Sequence, residues 1–220
     1  MNPPNVLLAG IVGSTAYGLA GPGSDVDRLG MFAAPTVAFH GLHEPRESIV
    51  STHPDVTLHE ARKYAVLALG GNPTASELMW LTDDLYETTT PLGRELIAIR
   101  GAFLSAKRIR EAYLGYAMRQ FRKLESRPAD NRTAKHARHL RRLCTQGFEL
   151  YTTGHLRIRL ENPHEFLDFG EQVAGGDVDA ARALIAHYEE AFATATTALP
   201  EEPDTRPVED WLLRVRKDFL

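Results

Sequence analysis

Short apolar and alternating segments, each as long as a β-strand, occupy the first 90 residues of the chain. The apolar run at 5–12, which ends at Gly13, predicts a buried strand. Alternation at 55–59 predicts a second strand, with Val56 and Leu58 on one face and polar residues on the other. Weaker patterns predict strands at 25–33 and 48–52 and helices at 14–17, 60–69 and 74–80, with Ser14 and either Thr74 or Ser76 as N-caps.

From residue 91 onward, apolar residues recur at intervals of three and four, as on one face of an α-helix. They predict helices at 91–100, 102–126, 131–153, 165–173, 178–197 and 208–219, with a short alternating segment at 155–160. The same periodicity in the helix at 60–69 gives an apolar stripe of Ala61, Tyr64, Ala65 and Ala68. The chain therefore predicts an α+β fold in which a small mixed-sheet domain at 1–90 is followed by a helical domain at 91–220.

Composition is that of an ordinary globular protein, with 43% apolar and 25% charged residues among 220. The single cysteine, Cys144, excludes an intrachain disulfide and suggests a reducing compartment, where a buried structural thiol is expected. No apolar run approaches the ~20 residues that span a membrane, and the N-terminus lacks the basic region of a signal peptide. We therefore expect a cytoplasmic protein that does not bind membranes.

Positive charge is concentrated in one part of a chain whose net charge is −4. Residues 107–142 contain 12 Lys or Arg and three acidic residues, a net charge of +9, so the remainder carries −13. This asymmetry predicts a surface for a polyanion such as RNA, although a solvated face of long helices has the same pattern. The candidate nucleic-acid-binding residues recur at helical spacing on roughly one face: Lys135, Arg138, Arg141 and Arg142.

The candidate chemistry lies directly after the first predicted strand. Gly13-Ser14 can offer backbone N–H groups to a phosphate, because glycine leaves room for close approach. If 25–33 is a strand, the Asp25 and Asp27 carboxylates project from the same face and repel each other unless a cation lies between them. Mg²⁺ accepts such oxygen ligands and completes its shell with water and phosphate. A phosphate-binding loop beside paired carboxylates is typical of a nucleotidyl-transfer centre.

Gly13-Ser14, ten intervening residues and then Asp25-Val26-Asp27 resemble the signature of the DNA polymerase β-like nucleotidyltransferase superfamily. The closer resemblance is to a branch predicted to work in RNA repair. The chain departs from the pattern at Arg28, where many members carry an apolar residue. The segments that carry the resemblance all lie in about the first 85 residues: 13–18, 24–27, 55–60 and 71–74.

The resemblance implies a Mg²⁺-dependent enzyme that transfers a nucleoside monophosphate from an NTP such as ATP to an RNA 3′ end and releases pyrophosphate. It implies a catalytic domain at 1–90 and a helical substrate-binding domain at 91–220. In a two-metal scheme, Asp25 and Asp27 would bind both ions, with Mn²⁺ as an alternative to Mg²⁺. Asp55 would complete the metal site and take the hydroxyl proton. Gly13 and Ser14 would bind the β- and γ-phosphates.

Three more residues are candidates for nucleotide binding, and two of them have an ordinary structural alternative. Tyr17 either stacks on a base or fills the core beneath the loop. Ser24 either contacts the nucleotide or caps the turn before Asp25. Lys63 is expected to bind triphosphate or an RNA backbone.

Other functions remain open from the sequence. A protein or small-molecule hydroxyl is an alternative acceptor, and a catalytically silent nucleotide or RNA sensor is an alternative class. The pairs His40/His43 and His136/His139 lack a Cys or acidic partner at zinc spacing, so we expect surface histidines. The pattern fixes neither the preferred NTP nor the oligomeric state.

Overall fold

The computed structural model describes residues 5–126 and 132–220. Five strands form one sheet in the order β3-β4-β2-β1-β5. β2 and β4 are parallel, whereas the other neighbouring pairs are antiparallel, so the sheet is mixed as predicted. The strands are β1 (Val6–Val12), β2 (Asp27–Phe32), β3 (Ser48–Thr52), β4 (Asp55–Glu60) and β5 (Tyr86–Thr89).

Nine α-helices accompany the sheet among the described residues, and most of them follow β5. This arrangement confirms the predicted α+β class with a helical C-terminal region. The helices are α1 (Gly13–Tyr17), α2 (Ala61–Leu69), α3 (Pro73–Glu77), α4 (Pro91–Ala98), α5 (Ala106–Glu125), α6 (Thr133–Thr153), α7 (Pro163–Ala174), α8 (Val178–Thr194) and α9 (Thr205–Asp218).

Several local predictions differ from the structure. β2 begins at Asp27, so Asp25 precedes the strand, and β5 had no counterpart in the sequence pattern. α1 has no side-chain cap, and α3 is capped by Asn72, whose Oδ1 accepts from the Ala75 N–H at 3.1 Å. The alternating segment at 155–160 lies outside the helices and strands. The expected helix start at residue 131 lies outside the described residues.

Contacts divide the chain into two compact units at places other than residue 90. Unit 1 contains Met1–Leu104 and Pro203–Leu220, and unit 2 contains Ser105–Glu202. α4 and α9 therefore belong with the sheet. The Trp211 indole, fully buried, donates from Nε1 to the Leu92 carbonyl at 2.9 Å and so ties α9 to α4. The assignment of catalysis and substrate binding to separate parts remains a prediction.

The core of unit 1 packs helices against the sheet. The buried residues of α2 are the four that the sequence assigned to its apolar stripe. Tyr64 is fully buried, and its hydroxyl donates to the Ala75 carbonyl at 2.8 Å, which joins α2 to α3. α2 is thereby fixed directly after β4, the strand that begins with Asp55.

A buried ion pair anchors α9 beside the end of β4. Glu60 is 3% exposed, caps α2 by accepting from the Arg62 N–H at 2.8 Å, and accepts from Arg216 Nη1 at 2.7 Å. The Arg216 guanidinium also lies 4.2 Å from the centre of the Phe39 ring. One carboxylate thus holds both the start of α2 and the last turn of α9.

Replacing Glu60 by alanine is expected to lower the free energy of unfolding by about 3 kcal/mol, since it removes the α2 cap and leaves the mostly buried Arg216 guanidinium without its carboxylate. The matched control is Glu95→Ala, which removes the carboxylate from the exposed Arg214–Glu95 pair at 2.9 Å. There we expect a loss below ~1 kcal/mol. Urea titration measures both, and equal losses in the two variants would contradict the anchoring role of Glu60.

Unit 2 is built around α6, which packs against α5, α7 and α8. Cys144 lies in this core, and burial raises the pKa of its thiol to about 12. This agrees with the expected structural thiol. Within the described ranges, no helix is both long and apolar enough to cross a membrane.

Candidate active site

Asp27 and Asp55 begin neighbouring strands of the sheet. β2 and β4 run parallel, with Arg28 aligned to Val56. The two aspartates lie one position earlier, side by side at the end of the sheet where both strands begin. Neighbouring strands are ~4.8 Å apart, and aligned residues project from the same face. The structure therefore brings these two predicted site residues together.

Gly13 lies against Asp27 on the other side. Val12, the last residue of β1, is aligned with Asp27, and Gly13 follows at the start of α1. Gly13 has φ +69°, and a Cβ there would collide with Asp27 Oδ2 and lie 3.0 Å from its Cγ. Only glycine fits both the backbone conformation and the space. The backbone of the glycine-rich loop is thus in contact with the Asp27 carboxylate.

Asp25 and Ser24 lie in the exposed loop before β2. The argument from strand alternation therefore does not apply to Asp25, because the residue is outside the strand. Ser24 Oγ accepts from the Gly21 N–H at 2.9 Å, and the Ser24 N–H donates to the Gly21 carbonyl at 3.0 Å. Ser24 thus has the turn-capping role that the sequence offered as one alternative.

The carboxylates can be compared with what a metal ion requires. No group of three His, Cys, Asp or Glu side chains in residues 5–126 and 132–220 is arranged to hold a metal. Mg²⁺ commonly takes only one or two carboxylates and fills its remaining positions with water and substrate phosphate. The adjacent Asp27 and Asp55 fit that smaller requirement.

Tyr17 is a core residue. Its side chain is 8% exposed, and its hydroxyl donates to Glu77 Oε2 at 2.6 Å. Glu77 is itself 2% exposed. Of the two alternatives for Tyr17, the structure supports packing beneath the loop, because its ring is not accessible for stacking on a base.

Lys63 lies on α2, close to the strand that begins with Asp55. Its ammonium group is 3.1 Å from Glu47 Oε2, and the side chain is 36% exposed. Nearby, burial lowers the pKa of His59, and Lys63 lowers it further. The His59 Nδ1 is 2.8 Å from Ser48 Oγ on the neighbouring strand β3.

Arg28, the departure from the family pattern, has a partner that the sequence did not reveal. Its Nε donates to both carboxylate oxygens of Glu87 at 2.9 Å. Glu87 lies on β5, on the far side of β1 from Arg28. A charged pair thus lies directly after Asp27 in the chain.

The predicted nucleic-acid-binding face of α6 is mostly used for packing within unit 2. Arg142 is 2% exposed and donates to Gln146 Oε1 at 2.7 Å, so its assignment to RNA binding is wrong. Arg141 pairs with Glu165 at 2.7 Å and lies over aromatic rings of α7. The Arg138 stem lies against Gly170 of α7. Of the four candidates, only Lys135 is exposed.

His136 and His139 are partly buried, unlike the expected surface pair, whereas His40 and His43 are exposed. His136 Nδ1 is 2.9 Å from Gln120 Oε1. Burial lowers the pKa of His139 to about 3, and the positive charges of Arg142 and Lys123 add to the effect. The folded protein therefore holds His139 in its neutral form.

This pKa predicts a loss of stability in acid. Because the unfolded chain binds the proton near pH 6.5 and the folded chain only near pH 3, the free energy of unfolding falls as pH decreases through that window. Between pH 7 and about pH 5, His139 is expected to lower the free energy of unfolding of the wild type by about 2 kcal/mol. The His139→Gln variant should lack this part of the pH dependence. Urea titrations at both pH values measure it. The control, exposed His164→Gln, should keep the wild-type pH dependence, and an unchanged dependence in His139→Gln would refute the assignment.

Comparison with known proteins gives one family. A family model described as RNA repair pathway DNA polymerase beta family (RlaP) matches residues 2–212. No curated protein matches the chain at a significant level. The matched range includes residues from both units.

Proposed function

Because the chain belongs to the RNA repair pathway DNA polymerase beta family, we propose that it is a nucleotidyltransferase with RNA 3′ ends as acceptors. The hydroxyl oxygen of the acceptor would attack the α-phosphorus of an NTP. The bond from that phosphorus to the oxygen bridging the β-phosphate would break, and pyrophosphate would leave. The observation that carries the proposal is the adjacency of Asp27 and Asp55 beside the Gly13 backbone.

The carboxylates would have distinct roles. Asp25 and Asp27, with Asp55, would hold two Mg²⁺ or Mn²⁺ ions, whose chemistry is to neutralise phosphate charge and to lower the pKa of the acceptor hydroxyl. Asp55 would take the proton that the hydroxyl releases. Asp25 is exposed in the loop two residues before Asp27.

The neighbouring residues would bind the triphosphate. Gly13, which has no side chain, leaves its N–H open to a phosphate oxygen, and Ser14 would add its N–H and hydroxyl. The Lys63 ammonium would exchange its surface partner Glu47 for a phosphate, since an exposed ion pair contributes little stability.

The RNA acceptor is supported by the family description and not by the basic face of α6. A protein or small-molecule hydroxyl requires the same chemistry at Asp27 and Asp55, so the acceptor must be found by labelling. A catalytically silent sensor would bind NTP without transferring any part of it.

The test is incubation of the protein with each α-labelled NTP, Mg²⁺ and total cellular RNA and protein. We expect label in RNA, and loss of that label when the 3′ hydroxyls are first destroyed with periodate. The Asp27→Asn variant is the blank. Label in the protein or small-molecule fraction would reject RNA as acceptor, and no label with any NTP would reject the enzymatic function.

A further inference from the structure

A cavity of about 790 Å³ lies in unit 1, lined by residues other than the candidate aspartates. It is bounded by the edge strand β5, by α4 and by the short helical turns before and after them. None of the residues predicted for the active site lines it. The lining residues that matter below are Trp80, Asp83, Tyr86, Arg94, Ile97 and Arg100.

Two guanidinium groups give the cavity a positive charge. Arg94 donates to the Thr89 carbonyl at 3.2 Å, and Arg100 lies 4.4 Å from the centre of the Trp80 ring. Neither has a carboxylate within ion-pair distance in the described part of the chain. Asp83 is the one acidic residue in the lining, so the lining is positive. Planar guanidinium groups are suited to binding phosphate oxygens in pairs.

The rest of the wall is neutral and partly apolar. The Tyr86 hydroxyl donates to the Leu78 carbonyl at 2.9 Å, and burial raises its pKa to about 12, so the phenol adds no negative charge. The Tyr86 ring and the Ile97 side chain offer flat and aliphatic surface to a planar group. Aromatic side chains of this kind bind bases by stacking, whatever the base. Two cations beside such a wall match a nucleoside phosphate.

The cavity is close to the end of the sheet at which Asp27 and Asp55 lie. Tyr86 of β5 is aligned with Gly10 of β1, and Gly10 is aligned with Leu29 of β2. β5 is thus two strands from β2, about 10 Å along the hydrogen-bonding direction. Leu29 follows Asp27 by two residues on the same face. A nucleic-acid strand that reaches Asp27 has only a few nucleotides to span before this cavity.

We propose that this cavity binds a nucleotide, with its phosphate on Arg94 and Arg100 and its base against the wall beside Tyr86. Such a nucleotide has two sources, a position in the RNA acceptor strand or a free mononucleotide. We favour the RNA strand because of the short distance to Asp27, and this choice rests on the proposed function. The assignment of a nucleotide to the cavity is independent of the proposed function.

The test compares two double variants. Arg94→Gln with Arg100→Gln alters the cavity, and the control, Arg46→Gln with Lys217→Gln, removes the same charge from exposed positions of unit 1 outside the cavity. Binding of a short labelled oligoribonucleotide is followed by fluorescence anisotropy at several salt concentrations. We expect about tenfold weaker binding in the cavity variant. The log–log salt slope should fall in magnitude by roughly 1.4, since each single-strand phosphate contact contributes about 0.7. The control should change far less.

A second variant keeps the charge and guards against misfolding. Gly101 lines the cavity, and a Cβ there would meet no atom within 4 Å, so the side chain of Gly101→Leu can leave the backbone without a clash. We expect it to weaken RNA binding by occupying the space while leaving the salt slope unchanged. Thermal unfolding curves of all variants show whether each one is folded.

Calorimetry with adenosine monophosphate separates the two sources. Weaker RNA binding in the cavity variants supports the RNA strand as the source, and weaker binding of adenosine monophosphate with wild-type RNA affinity supports a free nucleotide. Wild-type affinities for both ligands in both cavity variants would overturn the proposal. If RNA binding depends on Arg94 and Arg100 but the wild type transfers no nucleotide, this site is supported and the proposed function is rejected. Normal transfer together with wild-type affinities for RNA and for adenosine monophosphate in the cavity variants would reject this site and keep the proposed function.

Discussion

Replacing Asp27 by asparagine is expected to lower nucleotidyl transfer at least about a thousandfold, or ~4 kcal/mol of transition-state stabilisation. Asparagine has nearly the same shape, so the contact with Gly13 and the alignment with Val12 remain. The lost charge removes a metal ligand. Since it also removes repulsion from the adjacent Asp55, the melting temperature of the metal-free protein should be unchanged or higher. Labelled-NTP transfer and thermal unfolding measure the two effects.

Asp25→Asn should cause a similar loss of transfer if the loop carboxylate joins the metal site. Asp168→Asn, on the exposed surface of α7, is the control and should keep wild-type activity. If Asp27→Asn retains more than about a tenth of the activity, the carboxylate does not hold the ions and the two-metal assignment fails.

Gly13→Ala is expected to have the second large effect, a fall of at least about thirtyfold in affinity for Mg²⁺ and a non-hydrolysable NTP analogue. The added Cβ runs into Asp27 Oδ2 and takes the space beside the backbone that a phosphate needs. The positive φ adds roughly 1–2 kcal/mol of strain. Titration calorimetry on the folded variant measures the affinity.

Gly23→Ala separates strain from contact. Gly23 has φ +81°, but a Cβ there meets no atom within 4 Å. This variant should lose about as much stability from strain and bind the analogue with wild-type affinity. Equal affinities in the two alanine variants would place the nucleotide away from Gly13.

Elements whose pattern is set by local sequence were predictable. β1 is an apolar run between breakers, and α2 carries its buried residues at helical spacing, so both agree with the structure within a residue or two. β5 was not predictable. It has four residues with no apolar alternation, and Glu87 pairs with Arg28 from a distant part of the chain. That strand pairs with β1 at the edge of the sheet.

The site was predictable only in part for the same reason. Alternation placed Asp55 on the polar face of its strand, and the parallel register of β2 with β4 then brings it beside Asp27. Helical spacing likewise placed Arg141 and Arg142 on the basic face of α6. It could not show that Arg141 pairs with Glu165 of α7 or that Arg142 donates to Gln146, because these contacts depend on the tertiary structure.

Unit 1 is discontinuous along the chain, and this sets an order on its biosynthesis. Its sheet lies within the first 104 residues, but α9, which supplies Trp211 and Arg216 to its core, follows the 105–202 segment. A ribosome adding ~5–20 residues per second needs roughly 5–20 s to cross that segment. For those seconds Leu92 of α4 and Glu60 of β4 lack their partners on α9. The growing chain therefore offers chaperones and proteases a substrate that the finished protein does not.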